Sequence, residues 1–76
     1  MARVAYTIIV ESGADNYSGY VPDLPGCVAV GDTVDETVEE LKQAIEFHIE
    51  GLRAEGLPVP PPQIISREIE LELPTA

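Results

Sequence analysis

The chain has 76 residues and carries fourteen acids against four bases, a formal net charge of −10. That length supports one domain, and a domain so small hides only ~60% of its unfolded surface, so a thin core is expected and self-association would help it. With 45% hydrophobic and 24% charged residues it is globular rather than a disordered acidic tail, while so few bases exclude direct binding to nucleic acid or an anionic membrane.

Residues 4–10 (VAYTIIV) are rich in β-branched and aromatic side chains, the composition of a strand buried on both faces or nearly so. Residues 11–16 supply turn chemistry through Gly13, Asp15 and Asn16. A second strand is expected over 17–21, with Tyr17, Gly19 and Val21 on one face. Pro22, Asp23, Leu24, Pro25 and Gly26 then form a rigid turn, because two prolines fix φ and the glycine permits what other residues avoid. Cys27 opens a short third strand, 27–30.

A helix is expected over about 34–55. Thr33 and Glu36 have capping-box spacing, the hydroxyl accepting from the Glu36 N–H while the carboxylate reaches back. Val34, Val38, Leu41, Ile45, Ile49 and Leu52 recur at helical spacing as one apolar stripe. Gly56 offers a C-terminal cap and Pro58 forbids continuation. A proline-rich connector, 57–63, leads to a last strand, 67–73. There Ile69, Leu71 and Leu73 share one face and Glu68, Glu70 and Glu72 the other. The expected fold is a single α+β domain of order β-β-β-α-β. Its one four-stranded sheet has the order 3-2-1-4, truncated ribonuclease-H-like, with the helix on one face.

This order prompts a test for metal-dependent nuclease chemistry, which needs carboxylates converging on a divalent ion. The first strand has no interior acid, and the glutamates of the last strand run along a line. No metal or cofactor site is expected. His48 has no nucleophile at helical spacing, so no catalytic pair is visible. Cys27 allows no intramolecular disulfide and reads as a small buried hydrophobe of a reducing, cytoplasmic compartment. No apolar run approaches the ~18–20 residues that span a bilayer.

Phe47 is the exception on the helix. It projects about 220° around the axis from Val34, with Ala54 at about 200° and Gly51 at about 260°. A large ring beside small residues forms a second contact surface, for self-association into a dimer or tetramer or for a partner, unless the connector folds back over it.

The run Gly19-Tyr20-Val21-Pro22-Asp23-Leu24-Pro25-Gly26-Cys27, followed by Gly31-Asp32-Thr33 and the acidic start of the helix, resembles the HicB-like antitoxin family. Ala44-Ile45 to His48, Gly56 and the Pro58–Pro62 run extend the resemblance over roughly residues 4–73. It implies a non-enzymatic protein that binds a small basic HicA-like toxin and masks its RNA-binding or catalytic surface. The histidine of that chemistry belongs to the toxin, so His48 inherits no role. Many members add a DNA-binding helix-turn-helix or ribbon-helix-helix, and this chain ends at Ala76 without one. The matching residues are mainly structural. Asp23 and the acids Glu68, Glu70 and Glu72 are the expected contacts for a basic partner. A solitary, non-catalytic structural or ligand-binding oligomer is the alternative, in which the acids serve only solubility.

Overall fold

Three short strands form an antiparallel meander in the computed structural model, which describes residues 3–74. They are β1 (Ile9–Ser12), β2 (Tyr17–Tyr20) and β3 (Val28–Gly31), followed by the helix α1 (Val34–Ala54). The register pairs Val10 with Gly19 and Gly19 with Ala29, so β2 is central and these three residues form one row. That row faces the helix. A Cβ on Gly19 would come within 2.6 Å of Leu41 Cδ1 and 3.1 Å of the Ile9 carbonyl, so the missing side chain is what lets the helix lie this close. The row of Ile9, Tyr20 and Val28 faces the helix-free side, where Val28 and Val30 stay largely exposed.

The buried core is small: Val21, Leu24, Cys27 and Leu41, with Tyr6, Ile8, Val10, Ala29, Ala44 and Ile45 packed around it. The turn Val21–Cys27 supplies most of it. The Leu24 N–H donates to the Val21 carbonyl at 3.0 Å, Cys27 N–H to Leu24 at 3.0 Å, and Val21 N–H to Cys27 at 3.1 Å. With Gly26 at φ +87°, this closed loop points Leu24 into the core, where it is 0% exposed.

Both helix ends are capped. Thr33 Oγ1 accepts from the Glu36 N–H at 3.0 Å, and Glu36 Oε2 accepts from the Asp32 N–H at 2.9 Å, one residue earlier than a standard capping box. At the other end Gly56 takes φ +69°. Its N–H donates to Arg53 and that of Leu57 to Leu52, a Schellman closure.

Several expectations need correction. Residues 67–73 are not a strand: they pair with nothing among the described residues, and all are exposed. The sheet therefore has three strands in the order 3-2-1, without the fourth position of a ribonuclease-H-like arrangement. The alternation of apolar and acidic side chains was read correctly, but a strand needs an edge to pair with as well as a pattern. Strand pairing in the first segment begins at Ile9, not at residue 4, and residues 6–10 are half-buried, not buried on both faces. The connector has no regular secondary structure and lies beside Val4, Tyr6, Ile49 and Arg53, leaving Phe47 uncovered.

Candidate partner-binding surface

The helix crosses one face of the sheet and leaves a groove on each flank. On the β3 side, Gly26 and Cys27 face Ala44, Phe47, His48 and Gly51 across a groove of about 440 Å³ that the start of β3 at Val28 borders. Here the Phe47 ring is 79% exposed, and an added Cβ on Gly51 would meet nothing within 4 Å. Ala54 is exposed as well. The structure thus leaves all three small-and-large residues of the expected contact surface open to solvent. Cys27 is buried, and burial pushes its thiol pKa up, as suits an inert packing residue. His48 is half-buried beside it.

On the β1 side, Val4, Tyr6 and Ile8 face Val38, Leu41 and Ile45 across a second groove of about 350 Å³, with Lys42 and Glu46 also on its wall. Val38 belongs to the expected apolar stripe, yet it is 38% exposed because no described residue lies over this groove. Thr37 is the reverse case. It is completely buried, its hydroxyl donating to the Thr33 carbonyl at 2.8 Å, and the periodicity of apolar residues gave no signal for it. Gly31 could have given one, since a Cβ there would come within 2.8 Å of the Thr37 nitrogen.

The acids divide into two groups. Asp23 is half-buried and holds the connector: its Oδ2 accepts from the Gln63 N–H at 3.1 Å and the Ile64 N–H at 3.2 Å. Tyr6 adds a hydroxyl donor to the Pro60 carbonyl at 2.6 Å. Asp23 is therefore engaged inside the chain rather than standing free on its turn. Glu68, Glu70 and Glu72 are exposed, as are the helix acids Asp35, Glu39, Glu40, Glu46 and Glu50 and the capping Glu36. Among the described residues no group of three or more His, Cys, Asp or Glu is arranged to hold a metal ion, and no helix is long and apolar enough to cross a membrane.

Residues 6–72 match the family described as the HicB_like antitoxin of bacterial toxin-antitoxin systems. The chain belongs to the HicB-like antitoxin family. A UPF0150 protein of Synechocystis is 37% identical over 67 residues, covering 87% of this chain and 85% of its own. An uncharacterized 14.9 kDa protein of Haemophilus phage HP1 is 49% identical over 47 residues, 62% of this chain but 35% of the phage protein. Among solved structures, a chain of the HicA3 and HicB3 toxin-antitoxin complex aligns with a TM-score of 0.67 at 35% identity, covering 78% of this chain and 70% of that one. In this chain the Val21–Cys27 loop and the Gly31-Asp32-Thr33 helix start are parts of the scaffold, each with the structural role described above.

Proposed function

We propose that this HicB-like chain is a non-catalytic antitoxin that binds a small basic HicA-like toxin in the cytoplasm and masks its RNA-binding or active-site surface. The observation that carries the reading is the likeness, at 35% identity, to a chain of a toxin-antitoxin complex. The charge supports it. A net charge of −10 spread over exposed helix and tail positions steers a basic protein toward this surface. Glu68, Glu70 and Glu72 serve as the free acidic contacts, and Asp23 shapes the surface by holding the connector. Phe47 with Gly51 and Ala54 is an apolar contact surface through which copies self-associate. The large ring in an open groove has the character of an interface anchor.

The test uses the purified chain and a small basic HicA-like toxin, sought first in the neighbouring reading frame. Excess chain should stop the toxin cleaving RNA. Raising salt should slow association more than it speeds dissociation, and Glu68→Lys/Glu70→Lys/Glu72→Lys should lower the association rate about tenfold. A toxin that keeps cleaving RNA in the presence of excess folded chain would overturn the antitoxin reading in favour of a solitary oligomer.

A further inference from the structure

The β1 side of the molecule is unfinished in two matching ways. Tyr6, Ile8 and Val10 alternate inward onto the core, yet among the described residues 4–8 pair with no strand and β1 pairs with β2 alone. No backbone hydrogen bond joins residues 4–8 to another described segment, and their inner side opens into the apolar groove walled by Val38 and Ile45. The chain also carries a segment of complementary design that pairs with no strand among the described residues. Ile69, Leu71 and Leu73, at the same two-residue spacing, are 75–81% exposed. Edge, groove and spare strand fit together.

The spare strand is led away from its own groove. The connector is fastened where the Thr7 hydroxyl meets the Ile64 carbonyl at a long 3.4 Å and where Asp23 holds the Gln63 and Ile64 amides. Ile69, Leu71 and Leu73 lie five to nine residues beyond that point, about 16–30 Å of extended chain at ~3.3 Å per residue. The groove edge from Val4 to Ile8 spans only about 13 Å and lies around the fastening point itself. To come back, the chain would have to reverse between Ile65 and Leu73, where Ser66 is the one residue of a common turn-forming type. The molecule is drawn out accordingly, with extents of 55 × 27 × 20 Å.

We infer that residues 67–73 of one copy add a fourth strand to the β1 edge of a second copy, with Ile69, Leu71 and Leu73 seated in the groove lined by Val4, Tyr6, Ile8 and Val38. The exchange is reciprocal, so two tails close two grooves and the assembly is finite. It leaves Glu68, Glu70 and Glu72 on the outward face of the added strand. It depends neither on a toxin nor on the Phe47 surface.

Two measurements on the full chain decide it. In a mixture of isotope-labelled and unlabelled copies, filtered NOEs should join the methyls of Ile8 and Val38 on one copy to those of Ile69 and Leu71 on the other. Light scattering should give a mass that halves in Ile69→Glu/Leu71→Glu while the helical circular dichroism persists. Contacts of this kind confined to a single copy would overturn the inference, because the tail would then close its own groove. So would an unchanged mass in the folded double variant, because association would then run through another surface. Loss of toxin binding with the mass and intermolecular NOEs intact bears on the toxin contact alone and supports the tail exchange.

Discussion

The turn from Val21 to Cys27 carries two prolines and no apolar repeat, yet it supplies three of the four buried hydrophobic residues identified in the core. The tail from 67 to 73 has a clean strand pattern, yet every residue in it is exposed. Pattern therefore describes what a segment can bury, while burial depends on what stands opposite. The turn has its partner within the chain: Leu41 of the helix lies across the gap that Gly19 leaves open. The tail has apolar side chains and is packed on no described surface of its own fold.

The largest effect should come from exchanging a side chain in each region for alanine. Leu24→Ala removes a completely buried residue from a core with few others and should cost about 2–5 kcal/mol in urea unfolding. Leu71→Ala, measured at a dilution where the chain is monomeric, should change stability by less than about 0.5 kcal/mol. Equal losses would mean that the tail is part of the monomer's core, and the contrast would fail.

A smaller effect isolates the link between the two regions. Asp23→Ala removes the acceptor that joins the turn to the connector and should cost about 1 kcal/mol. The more specific readout is hydrogen exchange. The Gln63 and Ile64 amides should exchange faster while the Leu24 and Cys27 amides, bonded within the turn, keep their protection. Loss of protection throughout the turn would show that the carboxylate holds the loop together, rather than fastening the tail to it.

The smallest expected effect has the opposite sign. Gly51 occupies an exposed helix position with open space where a Cβ would stand, so Gly51→Ala should stabilise the chain by about 0.5–1 kcal/mol in thermal unfolding. Destabilisation would mean that something covers the helix at Gly51, as an assembled Phe47 surface would.

Much of the architecture was legible from local chemistry. The helix is fixed by Thr33, Glu36 and Gly56 acting on their own backbone neighbours, and its observed end, Ala54, differs from expectation by one residue. The three-strand meander was legible because short turns between Ser12, Tyr17, Tyr20 and Val28 leave no room for any other pairing. What escaped was non-local. The Asp23–Ile64 hydrogen bond joins residues 41 apart in the chain, and no spacing rule marks it. Thr37 is buried because Gly31 allows the backbone to approach, a steric fact invisible to a hydropathy pattern. Of the surface residues, Phe47 could be placed by angle alone, since exposure on a helix follows from its geometry. The missing fourth strand exposes the limit of such reading, because pairing is a property of two segments and the sequence displays them one at a time.

The core has a consequence for how the chain is made. All its members lie between Tyr6 and Ile45, and each strand pairs with its neighbour in sequence, so its contacts are of the local kind that form quickly. Sheet and helix can thus close without waiting for the connector or the tail, and the last apolar row is left over once the interior is filled.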